Sequence, residues 1–346
     1  MATPRFFADR RCPAAYYHCV SRVVDRRFVL QCDEREHFVR LLRAYEAFCQ
    51  VRVVTYCVLS NHFHVLVEIK PRPENHTFSD EWVLQQASAI YSKASLRSLR
   101  ETFEGWRKSG NDLAAEALKE QYLRRMWDVS QFMKELKQRF SLWHNKRAER
   151  KGTLWEERFS SVLVEGAGTA LAVLSAYIDL NPVRAGLVED PKDYRWSGYG
   201  ECVAGVKRAL DGLSVVMEHC LEKGAQRGAS TEASSLLEAY RLWLYGRGEE
   251  KRDMEGGAIL RPGFKREEVK QIRARKGQLS LGEALHCRVR YFTQGVALGS
   301  REFVENFFSE NRTRFGAKRR DGARKLRGAE FAELCSLRDL REAVKS

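Results

Sequence analysis

The chain has 346 residues, of which 44% are hydrophobic and 31% are charged, and its formal net charge is +14. This composition excludes a largely disordered chain, and the length predicts two domains or one domain with large insertions. The charge is uneven, because residues 251–346 hold 23 Lys and Arg against 13 Asp and Glu, a net +10 that leaves +4 for the first 250 residues. Such a basic region is typical of a protein that binds a polyanion, for which nucleic acid is the leading candidate. It fits a solvated basic surface equally well.

Nine cysteines are present, an odd number without any CxxC spacing. This pattern favours reduced thiols in a cytosolic protein over disulfides or a zinc site. The opening MATPRFFADRRC lacks the apolar segment of a signal peptide, and the most apolar long stretch, residues 167–180, is too short to cross a bilayer. We therefore predict a cytoplasmic protein with no membrane association.

Alternation of apolar residues and tight turns predict four strands in the first 200 residues. Apolar residues at helical spacing predict three helices among them, the first opened by Asp33 with Glu36 completing a capping box. The predicted strands are Ala15–Val20, Arg52–Leu59, His62–Ile69 and Phe159–Val164, and the later helices are Ser130–Arg147 and Gly168–Leu180. The order β-α-β-β-α-β-α predicts an α+β, ferredoxin-like fold with a four-stranded antiparallel sheet backed by helices.

The remaining sequence suggests three further units. Residues 70–127 are polar and helix-prone, which indicates an insertion within a core domain spanning residues 1–200. Residues 201–260 are expected to form a helical or linker region, and residues 261–346 a basic helical region. In the last region, helices at Leu279–Phe292 and Arg301–Phe308, joined through Gly295–Gly299, suggest a helix-turn-helix module for binding DNA.

Two histidines on one predicted strand are the first candidate site. Because side chains alternate along a strand, His62 and His64 share a face while Phe63 points to the other. Two imidazoles so placed can bind one metal ion if another element adds a ligand. Taken alone, the triplet fits a pair of ordinary polar histidines better.

The last predicted helix of the core offers that third element. Tyr177 and Asn181 are four residues apart and so lie on one helix face. The Asn181 amide oxygen suits a third metal ligand, and the Tyr177 hydroxyl suits attack on a phosphate. The competing interpretations are a core aromatic for Tyr177 and a helix end before proline for Asn181.

The segment YCVLSNHFHVLVE, residues 56–68, resembles the HUH-motif strand pair of single-tyrosine transposases. YIDLNPVRAGLV (177–188) followed by YRWSGY (194–199) resembles the tyrosine helix of the REP-associated tyrosine transposases, a branch of that superfamily. GTLWEERFSSVLVE (152–165) and HCVSRVVDRRFVL (18–30) resemble the strand that enters the helix and the opening strand and loop. One departure is Ser60, where members commonly have proline.

This resemblance implies a function for each candidate residue. His62 and His64 would bind a divalent metal ion, Mg²⁺ or Mn²⁺, with Asn181 in the place of a third ligand, and Tyr177 would be the nucleophile. The expected activity is metal-dependent nicking and strand transfer of single-stranded DNA through a 5′-phosphotyrosine, on hairpin DNA such as REP-like palindromes. The expected assembly is a monomer or homodimer.

Basic residues are candidates for binding the DNA. They are Arg22, Arg158 and Arg184 near the core strands, and the tail run Lys318, Arg319, Arg320, Arg324 and Lys325. Three alternatives stay open: a transposase that mobilises its own insertion sequence, a catalytically silent DNA-binding regulator of the same fold, and a metal-dependent hydrolase of small phosphoesters. Intact His62, His64, Tyr177 and Asn181 argue against the regulator, and the basic tail argues against the hydrolase.

Overall fold

The computed structural model describes most of the chain as one mixed α+β assembly. The described residues are 6–8, 12–221, 233–246, 251–252, 259–261, 290–293, 295–326 and 334–337. The predicted helix Leu279–Phe292 therefore lies mostly outside the described residues. No described helix has the length and apolar character that crossing a bilayer requires.

Four antiparallel strands form the core of the sheet in the spatial order β2-β3-β1-β4. They are β1 (Ala15–Arg22), β2 (Arg52–Val58), β3 (His62–Ile69) and β4 (Ser160–Val164). The turn at Ser60–Asn61 joins β2 to β3, and β1 is the central strand that pairs with both β3 and β4. The predicted fold class is confirmed, with β3 at its predicted bounds.

The two faces of this sheet carry different helices, because alternate side chains point to opposite sides. Phe63 and the residues that share its face pack against α1 (Cys32–Phe48) and α5 (Val129–Arg147). His64 and its neighbours on the other face lie toward α6 (Ala170–Asp179) and α9 (Lys207–Leu221). All ten residues of α6 are buried, so this helix is covered on its outer side as well.

The helix α1 begins one residue earlier than predicted and without the predicted capping box. Gln31 is its N-cap and makes no side-chain capping bond, while Asp33 lies in the first turn. Glu36 instead forms an ion pair at 2.8 Å with Arg195, which lies far along the chain. Because Asp33 lies inside the first turn and not at the N-cap, the predicted capping box cannot form.

Six further α-helices lie among the described residues up to Gly246. The polar segment after β3 forms α2 (Asp80–Ala87), α3 (Lys93–Lys108) and α4 (Asp112–Leu123). After α6 come α7 (Asn181–Arg184), α8 (Gly198–Val203) and α10 (Ala233–Gly246). A separate two-stranded sheet pairs β5 (Lys251–Arg252) with β6 (Ile259–Arg261).

The C-terminal region extends the core sheet to seven strands rather than the predicted four. After α11 (Arg290–Thr293), β7 (Ala297–Gly299) pairs in parallel with β4, and β9 (Cys335–Leu337) and β8 (Arg324–Lys325) continue the sheet outward. An edge strand such as β4 offers unpaired backbone groups, and here the Leu163 and Glu165 amides donate to the backbone oxygens of Val296 and Leu298, both at 2.9 Å. The predicted turn at Gly295–Gly299 between two helices is thus wrong, since this segment is largely a strand.

The second predicted C-terminal helix is present as α12 (Arg301–Glu310). Ser300 caps it, and the carboxylate of Glu165, just after β4, accepts hydrogen bonds from the Ser300 amide at 2.6 Å and hydroxyl at 2.9 Å. This helix is therefore anchored to the core sheet. The domain boundary at residue 261 stays a prediction.

Candidate active site

The two histidines of β3 lie at the start of the strand, on the face that α6 covers. His64 is 2% exposed and His62 is half-buried, with ring centroids 5.1 Å apart. Across the strand pair, His62 lies opposite Arg22 and His64 opposite Val20. Phe63 points to the other face, where its ring lies 4.5 Å from that of Phe38 and fixes the strand in the core.

Both histidines have a polar partner at Nδ1. His62 Nδ1 lies 2.6 Å from the amide oxygen of Asn61, which can only accept, so this nitrogen carries the proton. His64 Nδ1 lies 3.0 Å from Nε2 of His18 on β1. His64 Nε2 is buried and has no hydrogen-bond partner among the described residues. A buried imidazole nitrogen without a partner, beside a second histidine, is the arrangement that a metal ion would satisfy.

Tyr177, in the last full turn of α6, lies over these histidines within the same chain. Its ring meets the His64 ring edge-on with centroids 5.7 Å apart, and the His18 ring at 6.2 Å. Its hydroxyl is buried and makes no hydrogen bond of normal geometry among the described residues. The sequence prediction that the tyrosine helix crosses the histidine face therefore agrees with the geometry.

Asn181 follows Tyr177 by one turn and is also buried, at 7% exposed. Its Nδ2 donates to the backbone oxygen of Tyr177 at 2.9 Å, which leaves the amide oxygen to face another group. Among the described residues, no group of three His, Cys, Asp or Glu side chains could hold a metal ion. A metal ion bound here could draw on the two imidazoles and the Asn181 oxygen with water completing the shell, a donor set that favours Mn²⁺ more than an all-oxygen site would.

Burial controls the ionisation of this site. It lowers the pKa of His62 to about 4, with the Arg22 charge acting in the same direction, and lowers the pKa of His64 well below its usual value. Both imidazoles are therefore neutral at pH 7, as metal ligation requires. Burial also raises the pKa of Tyr177, while the positive charge of Arg184, 5.0 Å from the ring centroid, opposes that shift.

A pocket of about 620 Å³ opens over these residues and contains the three predicted core arginines. Arg22 ends β1, Arg158 precedes β4 and is exposed, and Arg184 ends α7. Two acids, Glu156 and Glu157, also line the pocket. A phosphodiester strand entering it would meet cationic side chains on several sides.

The tail run of basic residues lies elsewhere, at the outer edge of the sheet. Arg324 and Lys325 form β8, which three strands separate from β1. Arg319 folds back on its own loop, donating to the backbone oxygens of Asp321 and Gly322 and lying over the ring of Phe315. None of the five lines the pocket. Their DNA-binding role stays a prediction, separate from the chemistry.

Two contributors to the site were not predicted from the sequence. His18 is fully buried and lies between His64 and the backbone oxygen of Phe292, and the Phe292 ring packs on Tyr177 at 4.7 Å. The period of two along β1 could have indicated His18, since it shares a face with Val20, the partner of His64. No local signal could have indicated Phe292.

Comparison with known proteins relates part of the chain to a known family. Residues 12–109, which include β1 to β3 and the histidine pair, match the family model of IS200-like transposases. A solved REP-associated tyrosine transposase bound to a REP hairpin is similar over 59% of this chain and 86% of its own, at 15% identity and a TM-score of 0.37. No curated protein matches the chain. Residues 12–109 are therefore related in sequence to the IS200-like transposases, which confirms the resemblance for that segment.

Proposed function

We propose that this protein is a metal-dependent DNA nicking and strand-transfer enzyme with Tyr177 as its nucleophile. One observation carries the proposal: the hydroxyl-bearing ring of Tyr177 lies edge-on to His64, whose Nε2 is buried without a partner among the described residues. A structural tyrosine would not need a neighbouring pair of neutral imidazoles or a pocket with three arginines. The relation of residues 12–109 to IS200-like transposases supports the same activity.

The proposed reaction assigns a role to each of these side chains. Arg22, Arg158 and Arg184 would bind phosphates of a single strand in the pocket. The bound metal ion would polarise the scissile phosphate and stabilise its developing charge. The Tyr177 oxygen would then form a bond to phosphorus as the bond to the 3′ oxygen breaks, with loss of the phenol proton and gain of one by the leaving 3′ oxygen. The products are a 5′-phosphotyrosine and a free 3′-hydroxyl.

The phosphotyrosine link conserves the energy of the broken phosphodiester bond. A second 3′-hydroxyl can therefore attack this link, reverse the reaction and join a new strand. This reversibility is what distinguishes a strand transferase from a hydrolase of small phosphoesters, which would not need Tyr177. The segment from Tyr177 to Val188 resembles the REP-associated branch, and we therefore propose a hairpin with a single-stranded flank as the substrate.

A labelled hairpin tests this function. Hairpin DNA with a single-stranded flank is incubated with the full chain and Mn²⁺ or Mg²⁺ and resolved on a denaturing gel. A 3′-end label should migrate with the protein and a 5′-end label should not, because the link is to the 5′ phosphate. The adduct should be absent with a chelator and in Tyr177→Phe, but present in Tyr199→Phe, which alters a buried tyrosine outside the pocket.

Three outcomes would contradict the proposal. Cleavage by Tyr177→Phe would remove the nucleophile assignment. Adducts that carry the 5′-end label would reverse the polarity. Tight binding of many hairpins without any adduct would favour a DNA-binding regulator.

A further inference from the structure

His18 links the histidine pair to the C-terminal region through two short contacts. On the central strand β1 it is fully buried, one diagonal step from His64 on β3. Its Nε2 lies 3.0 Å from Nδ1 of His64, and its Nδ1 lies 2.8 Å from the backbone oxygen of Phe292. The ring centroids are 5.2 Å apart and the planes are within 14° of each other, which together with the 3.0 Å contact places the two nitrogens edge to edge.

These contacts fix the proton positions. A backbone oxygen only accepts, so Nδ1 of His18 carries a proton and donates it to Phe292. In a neutral His18 ring, Nε2 is then an acceptor, and Nδ1 of His64 must be the donor across the 3.0 Å contact. His64 therefore has its lone pair at Nε2, the buried atom that has no partner among the described residues.

The opposite assignment requires a buried cation. If His18 Nε2 donated instead, that ring would carry protons on both nitrogens, and His64 would need its proton on Nε2. A fully buried imidazolium without a counter-ion is costly, and no acid is among the groups that shift the ionisation of His18. The Phe292 oxygen thus determines the tautomer of His64 through His18.

The carbonyl belongs to a segment far from the core in sequence, 274 residues after His18. Phe292 lies in α11, just before β7, which pairs with β4 of the core sheet. Its ring also packs on the Tyr177 ring with centroids 4.7 Å apart. One residue of the C-terminal region therefore contacts both the hydrogen-bonded histidine pair, through His18, and the proposed nucleophile.

We propose that His18 is a positioning residue which, held by the Phe292 carbonyl, keeps His64 in the tautomer that can bind a metal ion through Nε2. The C-terminal region is on this account part of the metal site, and not only a DNA-binding appendage. The inference rests on the proposed metal-dependent function, although its tests require neither DNA nor cleavage. Ligating histidines commonly depend on such a partner, whose loss lowers metal affinity about 10- to 100-fold.

The tautomers can be observed directly in the metal-free, full-length protein. Long-range ¹H–¹⁵N correlation spectra of ¹⁵N-histidine-labelled chain should show both His18 and His64 protonated at Nδ1 and unprotonated at Nε2. Assignment uses single His→Gln variants at each position. A His64 ring protonated at Nε2 would overturn the proposal, whatever the protein does to DNA.

Metal affinity gives a second, independent test, with Mn²⁺ alone as the probe. Titration followed by electron paramagnetic resonance should show Mn²⁺ bound about 10- to 100-fold more weakly by His18→Leu. His18→Gln should stay close to wild type, because its amide oxygen can accept from His64 Nδ1. Tyr16→Phe is the matched control. Tyr16 lies on β1 and on the same face as His18, and the substitution removes a buried hydroxyl that donates to Glu68.

The outcomes separate this proposal from the proposed function. Equal Mn²⁺ affinity in His18→Leu and wild type overturns the positioning role of His18, even if the protein nicks DNA. If the predicted tautomers and affinities are found but no DNA adduct forms, the positioning role of His18 stands and the nicking activity is contradicted. If His18→Leu does not fold by circular dichroism, the tautomers of the wild-type chain still decide.

Discussion

The ring of Tyr177 meets the ring of His64 edge-on, with centroids 5.7 Å apart, inside a single chain. A helix and a strand that are distant in the sequence thus bring a phenol and an imidazole into one pocket. The ring of Phe292 closes the other side of the tyrosine. The proposed catalytic side chains thus lie together in one chain.

Asn181 should contribute to metal binding through its amide oxygen. Asn181→Ala removes that oxygen, and we expect Mn²⁺ affinity and the rate of adduct formation to fall about tenfold or more. Asn181→Asp keeps an oxygen at the same position and should restore or exceed wild-type affinity. Mn²⁺ titration and single-turnover gel assays measure the two effects. Unchanged affinity in Asn181→Ala would show that another group is the third ligand.

Arg184 should tune the acidity of the nucleophile. Burial raises the pKa of Tyr177 and the Arg184 charge lowers it, so Arg184→Gln should raise the pKa further. The phenolate fraction then falls about tenfold for each unit of pKa, and the alkaline rise of the adduct rate should move to higher pH. Arg184→Lys keeps the charge and serves as the control. The pH profile is measured under single turnover with saturating DNA, and a profile that does not move in Arg184→Gln would refute this role.

Asp179, buried beside the tyrosine helix, should make stability depend on pH. It accepts hydrogen bonds from Thr55 at 2.6 Å and Tyr240 at 2.5 Å, and burial raises its pKa to about 7 from 3.8. Between these values the folded state binds the proton and the unfolded chain does not. The free energy of unfolding therefore falls as pH rises through this window, by on the order of 4 kcal/mol if the whole shift is expressed.

The Asp179→Asn variant provides the comparison. Because asparagine does not ionise, its stability relative to wild type should increase from pH 4 to pH 7 and then level off. Urea unfolding at several pH values measures this difference, in which the shared titration of the buried histidines cancels. A difference that is flat with pH would show that the carboxyl is not held protonated.

The basic tail should affect binding without affecting chemistry. Lys318, Arg320, Arg324 and Lys325 are exposed and lie outside the pocket, whereas Arg319 is half-buried and engaged with its own loop. Replacing those four with alanine should weaken hairpin binding and reduce the salt slope by about 0.7 to 0.9 for each phosphate that is no longer neutralised. The adduct rate at saturating DNA should stay at the wild-type value. An unchanged salt slope would exclude the tail from the interface.

The sequence predicted the parts of this site that follow from local periodicity. The alternation along β3 placed His62 and His64 on one face, and the helical spacing of Tyr177 and Asn181 placed them one turn apart. The pairing of β1 with β3 could not be predicted from the sequence. His18 was therefore missed, although the β1–β3 register puts it beside His64. The capping box at Asp33 failed because the helix begins at Cys32, so that Asp33 lies inside the first turn and not at the N-cap.

The C-terminal region was the least predictable part. Its β7 strand has only three residues, too few to show a period, and its position depends on the free edge of β4. The contribution of Phe292 is a backbone oxygen, which any residue supplies, so no side-chain pattern marks it. Such contacts follow from tertiary structure alone.

The central claim is that Tyr177 forms the covalent bond to DNA, and one measurement addresses it directly. Cleavage with trypsin after Arg158 and Arg184 releases residues 159–184, in which Tyr177 is the only tyrosine. After the adduct formed with Mn²⁺ and hairpin DNA is digested with nuclease and trypsin, mass spectrometry should find a nucleotide on this peptide. A nucleotide on any other tyrosine-containing peptide, with residues 159–184 unmodified, would contradict the account.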